Sequence, residues 1–311
     1  MQKSLEIRLH KKYPGLWSLL NNKAQQKLPE GIIEYLNLPN YEEASWNSLQ
    51  IPEKYINDLI TICGIKNVTH TYRRDLSSVS DENTFLDHIF EIIACSSMAA
   101  LTPGIVLHPK SGKGACDFSL PVEGVTVYGE VKRWPDNYWL KNISKPKSRL
   151  IFKPSADKND TRIPRSMELY GKLIEATRQF SEGNFNVILL FTPSFGEELR
   201  QLQQTLFGDN NYFKEPEKVT LEDDGFFATE EGKVIATCYA CRLDCYLEPN
   251  VRGIFLFPGS WRNPNAIISL PSSVENLFKR YDISNLKTKI EKASNDWLNS
   301  MQNKHHSSLN P

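Results

Sequence analysis

The chain of 311 residues has no long hydrophobic run. Its strongly apolar stretches, such as Val187–Phe191, are a few residues long, whereas a membrane-spanning helix needs about 20. The opening residues, MQKSLEIRLHKKYPG, contain no apolar segment of the sort a secretory leader carries. These two absences lead to the expectation of a cytoplasmic protein without membrane contact. Net charge is missing as well, since 37 Lys and Arg balance 37 Asp and Glu. Bulk charge therefore selects no partner, and only its distribution can. The six cysteines are few, and in a reducing compartment they are expected to remain thiols. A Walker-type phosphate loop is also excluded. The Gly-Lys-Gly at 112–114 lacks the upstream glycine and the following Ser or Thr that such a loop requires, so it reads as a turn.

What the sequence does hold is one unusual stretch, Gly114 to Trp134, GACDFSLPVEGVTVYGEVKRW. Two apolar runs flank Glu123-Gly124, which predicts a β-hairpin. Side chains alternate along a strand, so Glu130 and Lys132 share one face and Val131 points to the other. Asp117, on the partner strand, reaches that same face if the register allows. Two carboxylates and an ammonium at one end of a hairpin are hard to explain as packing. They suit a divalent cation with a lysine beside an attacking water.

An Asp, a short hairpin and then Glu-x-Lys resembles the PD-(D/E)xK nuclease superfamily, with Asp117, Glu130 and Lys132 on the motif. One position departs from the pattern: Cys116 stands where the family usually has proline. The resemblance implies an α/β fold with a restriction-endonuclease-like core, a mixed central sheet flanked by helices. It implies Mg²⁺, with Mn²⁺ as a substitute, held by Asp117, Glu130 and the backbone carbonyl of Val131. A glutamate on the helix before the first strand often joins the metal site in that family. Glu91 is the match, with Glu82 and Asp87 as substitutes. The implied catalytic set is Glu91, Asp117, Glu130 and Lys132, and the implied reaction is metal-dependent hydrolysis of phosphodiester bonds in DNA, as in restriction, phage defence or DNA processing. The alternative is a non-catalytic nucleic-acid-binding or scaffold protein that retains the fold. A third reading is a surface ion-pair cluster in an unrelated α/β protein.

Charge is unevenly spread. From Lys132 to Arg178 there are twelve basic against five acidic side chains, while residues 215–231 carry seven acids. A basic stripe beside the motif suits a polyanion. Lys145, Lys147 and Arg149 lie in a polar insertion, 137–165, as candidate nucleic-acid contacts. Lys172, Arg178 and Gln179 are further candidates on the helix predicted from Met167 to Phe180. Residues 1–79 read as a helical accessory region, a lid, a DNA-contacting arm or a partner surface. Residues 80–270 read as the core, and 271–311 as a final helix, capped by Ser272 or Ser273, with a polar tail. A homodimer would favour double-strand cutting, although no motif indicates one.

Further elements follow from periodicity and turn residues. A helix is expected from Ser80 to about Leu101, and short strands at 104–109, 186–191 and 251–257. A second helix is expected at 197–207, and a hairpin-like pair within 225–244. His108 reads as a polar residue at a strand end rather than as a catalytic base. Cys238, Cys241 and Cys245 read as ordinary thiols, because residues three apart on a strand face opposite sides.

Overall fold

The computed structural model describes residues 10–11, 13–20, 50–78, 82–111, 114–134, 165–192, 197–244 and 254–282. The basic insertion, and with it Lys145, Lys147 and Arg149, lies outside the described residues, as do Cys245 and the tail. In chain order the strands are β1 (Val106–Leu107), β2 (Lys110–Ser111), β3 (Gly114–Ala115), β4 (Phe118–Val122), β5 (Val125–Arg133), β6 (Phe185–Phe191), β7 (Thr237–Asp244) and β8 (Ile254–Arg262). β2 and β3 form a small ribbon of their own, and the other six make one mixed sheet in the order β1-β4-β5-β6-β7-β8. β5, β6 and β7 are parallel, whereas β4 is antiparallel to β1 and β5, and β8 to β7. The fold is α/β, with helices covering both sheet faces.

Local rules account for the centre of this sheet. β4 and β5 are joined by Glu123 and Gly124 at φ 46° and 85°, the left-handed pair that a two-residue hairpin turn requires. Parallel strands need a crossover, and α5 (Arg165–Thr177) lies between β5 and β6 in the chain. β6 is buried at every position after Phe185, without alternation, as a strand covered on both faces must be.

Two cores follow. On one face, α4 (Glu82–Ala99) packs on β5, and α2 (Gln50–Cys63) packs on α4, with α1 (Pro14–Leu19) and α3 (Ile65–Ser77) beside it. Leu16, Ile56, Leu59, Tyr72, Ile92, Val127 and Leu189 belong to this one core. The helices of the expected accessory region thus share the core of the sheet. On the other face, Leu169, Leu173, Ala176 and Phe180 meet Ile188 and Leu190, together with α6 (Glu197–Phe207). α4 is enclosed between sheet and helices, so every residue from Glu91 to Ala99 is buried.

Several expectations are corrected. The crossover helix ends at Thr177, and Gln179 and Phe180 follow in a turn whose N–H groups bond the carbonyls of Ala176 and Thr177. Strand 104–109 shrinks to Val106–Leu107, because Gly104 and His108 on either side adopt φ 91° and 46°. The first arm of the 225–244 pair is a 3₁₀ turn, Phe226–Ala228. Phe226 and Phe227 both enter the same core, which a strand would forbid. Buried Asn186 and Asn263 hold this region by donating to the carbonyls of Val234, Gly232 and Ile235. The last described helix, α7 (Ser272–Phe278), is preceded by Pro271 as N-cap with no side-chain cap bond, so neither Ser272 nor Ser273 caps it.

One contact fixes the hairpin beside the motif. Phe118 lies opposite Gly129, and a Cβ added at Gly129 would sit 2.0 Å from the Phe118 ring. Phe118 is fully buried and has nowhere to turn. Gly129→Ala is expected to lower stability by about 2 kcal/mol, the usual cost of overpacking, measured by urea unfolding. A change below about 0.5 kcal/mol, the range of neutral surface substitutions, would show that the ring is not locked.

Candidate metal centre

β5 presents the motif through its alternation. Trp134 N–H donates to the Phe191 carbonyl on β6, whereas Gly129 accepts from Asp117 N–H on the β4 side. The N–H and carbonyl of one strand residue point the same way. The odd residues of β5 therefore turn their backbone to β4, and Val131 N–H donates to Asp117 Oδ2 at 2.6 Å. β4 begins at Phe118, so the Val131 carbonyl points past its end, beside Asp117. The side chains of Glu130 and Lys132 lie on the α5 face of the sheet, in register with Ile188 and Leu190.

Asp117 stands between two groups. On the α4 side, ligand atoms of Glu91, His108 and Asp117 all lie within 4.8 Å of one another. His108 Nε2 is 2.6 Å from Glu91 Oε1, and His88 Nδ1 is 3.6 Å from Glu91 Oε2. On the α5 side, Lys132 Nζ lies 3.0 Å from Glu130 Oε2 and 3.7 Å from Glu175 on α5. Glu130 is 1% exposed, and its other oxygen, Oε1, is buried without a hydrogen-bond partner.

The electrostatics follow from crowding acids in a dry place. Burial, then the charges of Glu91 and Glu130, push the Asp117 carboxyl well above its ordinary range, against Lys132 and the Val131 N–H. Burial pushes Glu130 up to about 7, although Lys132 opposes it. Burial also pushes Glu91 up, but its hydrogen bonds to His108 and His88 more than offset this, and its net shift is downward. Lys132 loses hydration, yet Glu130 and Asp117 outweigh that and hold it protonated. Four carboxylates, Glu175 included, thus face one lysine and two imidazoles, with one carboxylate oxygen of Glu130 orphaned. An unpaired buried polar atom costs about 1–3 kcal/mol, more when charged. An oxygen-seeking divalent cation supplies what this donor set lacks, so the residues present fit such an ion.

The structure brings Glu91 beside Asp117 and pairs Glu130 with Lys132. Among the described residues the group of ligand atoms within 4.8 Å holds Glu91, His108 and Asp117 and not Glu130, and Glu91 is buried rather than a surface acid. Asp87 is engaged elsewhere, 2.6 Å from Arg133 Nε. The side chain of Glu82 lies outside the described residues. Lys172 pairs with Glu175 at 3.5 Å, one step from Lys132, and Arg178 is exposed. Gln179 packs against Gly114, where a Cβ would lie 1.9 Å from its Oε1, and its carbonyl accepts the Cys116 thiol at 3.5 Å. Cys238 and Cys241 enter different cores on opposite faces, so these two sulfurs cannot share an ion. His108 stands at a strand end, as expected, and its place beside Glu91 was not foreseen. Three residues escaped the sequence reading: His88, Glu175 and Tyr72, whose ring meets the His108 ring edge-on at 5.4 Å. Spacing three apart on one helix could have linked His88 to Glu91. The others depend on tertiary placement.

The raised Glu130 has a consequence for stability. Its ordinary value is 4.5 and its folded value about 7. Between the two, the folded protein holds a proton that the unfolded chain has lost, so stability falls as pH rises through this window and levels off above it. Asp117 acts in the same direction. In chelator-treated protein, unfolding free energy should drop by at most about 3 kcal/mol from pH 4.5 to 7 on account of Glu130. Glu130→Gln should flatten that part of the profile. Identical slopes in the two proteins would contradict a buried, cation-seeking carboxylate.

The chain finds no match among protein-family models, curated proteins or solved structures.

Proposed function

We propose that the chain is a divalent-metal-dependent nuclease that hydrolyses phosphodiester bonds in DNA, built on a restriction-endonuclease-like core. The observation that carries this reading is Asp117, set between Glu91 and the Glu130–Lys132 pair at the end of a β-hairpin, beside an orphaned Glu130 oxygen. The order of elements agrees with it: buried helix, hairpin, crossover helix and a parallel strand.

Asp117, Glu130 and the Val131 carbonyl would hold Mg²⁺, for which Mn²⁺ would substitute, with Glu91 on the other side of Asp117. The bound cation would neutralise charge building on the scissile phosphate and make water a better nucleophile at neutral pH. Lys132 is kept protonated by Glu130 and Asp117, so it does not act as a base. Its ammonium instead donates to the attacking water or to a phosphate oxygen, at no cost of reorganisation during reaction. Glu175 and Lys172 extend this chain of charges along α5. Lys172 and Arg178, with Lys145, Lys147 and Arg149 of the insertion, would contact backbone phosphates, which position nucleic acid without reading its sequence. Gln179 would lie at the edge of that track. Helices α1 to α3 form the surface available to a partner protein, and a homodimer would pair two such sites for double-strand cutting.

The test is incubation of purified protein with plasmid, linear duplex, single-stranded DNA and RNA, with Mg²⁺, with Mn²⁺ and with chelator. Cutting of DNA that needs the cation is expected. Asp117→Asn, Glu130→Gln and Lys132→Ala should each lower the rate by about 10²–10³-fold or more, with circular dichroism unchanged. Equal cutting by all three variants would remove the reading.

A further inference from the structure

We propose that Glu91, His108 and Asp117 form a second cation position, on the α4 side of Asp117, that takes a first-row transition ion in preference to Mg²⁺. The proposal deepens the nuclease reading, with which it shares Asp117. The ligand atoms of the three residues lie within 4.8 Å of one another, on the side of Asp117 away from Glu130. An imidazole nitrogen changes the selectivity of such a site. Mg²⁺ favours oxygen donors and keeps its waters, whereas Mn²⁺, Fe²⁺, Co²⁺ and Zn²⁺ accept nitrogen beside carboxylates, with affinities rising along the series.

The surroundings are organised as the outer sphere of a cation site usually is. His108 is the residue at which the chain leaves β1 with φ 46°, which turns its ring onto Glu91. Tyr72, on α3, packs edge-on against that ring at 5.4 Å. His88, one turn before Glu91 on α4, lies 3.6 Å from its second oxygen and orients the carboxylate. In the structure His108 Nε2 and Glu91 Oε1 are in hydrogen-bond contact at 2.6 Å, and a cation would take the place of the proton between them.

Tyr72 is fully buried, and its hydroxyl has no nitrogen or oxygen partner, only the neighbouring Cys95 thiol, a weak acceptor. That hydroxyl lies where it feels the charges of Glu91 and Asp117. Buried phenols ordinarily find a partner. A water carried by a cation at the Glu91–His108–Asp117 position would offer this O–H an oxygen acceptor. The orphaned Glu130 oxygen lies on the other side of Asp117 and belongs to the first position. A plain histidine–carboxylate pair would explain the 2.6 Å contact but not the third donor, Asp117, brought within 4.8 Å of both.

The test needs no nucleic acid. The full chain, stripped with chelator, is titrated with Mn²⁺, Co²⁺ and Mg²⁺ by calorimetry, and the Mn²⁺ form is examined by pulsed electron paramagnetic resonance. Mn²⁺ and Co²⁺ are expected to bind more tightly than Mg²⁺ by about tenfold or more, the size of a typical ligand-sphere effect. The Mn²⁺ signal should carry ¹⁴N coupling from imidazole. His108→Asn, which tolerates the left-handed backbone, should lose the coupling and weaken Mn²⁺ binding by about 10–100-fold while leaving Mg²⁺ binding unchanged. Absence of nitrogen coupling in the unaltered protein, or coupling that survives His108→Asn, overturns the proposal. If that variant fails to fold, the unaltered protein decides alone by its coupling. Nitrogen-ligated Mn²⁺ in a protein that cuts no nucleic acid would sink the nuclease reading and keep this site. Cation-dependent cutting without nitrogen coupling would do the reverse.

Discussion

Asp117 is crowded by two other carboxylates, Glu91 and Glu130. Its carboxylate takes the Val131 N–H on one oxygen and then faces Glu91 on one side and Glu130 on the other. Burial makes each of these charges expensive, and Lys132 offsets only part of the sum. Natural sequences seldom keep such an arrangement for stability, since a buried ion pair is often no better than an apolar one of the same shape. The excess of acid is a local cost held in place by the rest of the fold, and the proposed cation would relieve it.

Much of the architecture can be traced to holding that cost. The two-residue turn at Glu123-Gly124 fixes the register of β4 on β5, and Phe118 lying over Gly129 locks it. A slip of one residue would send Glu130 and Lys132 to the opposite face. β6 pairs along the whole outer edge of the motif, from Val127 to Arg133. α4, buried on all sides over its second half, delivers Glu91 from the other face. It is in turn covered by α2 and tied to the C-terminal segment by the hydroxyl of Tyr281, which donates to the Ser97 carbonyl at 2.6 Å. Both faces of the sheet thus converge on one corner.

That corner was half legible in the sequence. The hairpin was readable because a two-residue turn is a local rule. The sharing of one face by Glu130 and Lys132 followed from strand alternation, and β6 from an unbroken apolar run. α4 announced itself by helical spacing, and Glu91 could be singled out through the family resemblance. The contact of His108 with Glu91 could not, because it depends on a left-handed backbone angle for a residue type that visits that region only sometimes. Tyr72 was hidden among helices that carry no motif, and its meaning lies in which ring it touches. The 225–236 stretch misled for a related reason. Phe226 and Phe227 look like strand residues, but buried asparagines from distant segments hold the backbone there in tight turns.

The most direct measurement is the anomalous diffraction of crystals soaked in Mn²⁺. The account predicts a peak at about 2.2 Å from a carboxylate oxygen of Asp117, a distance typical of such ligands, with Glu130 or Glu91 completing the contact. A map with no peak at this corner at saturating Mn²⁺, with the Val131 N–H still bonded to Asp117 and the Glu130 oxygen still unpartnered, would contradict it.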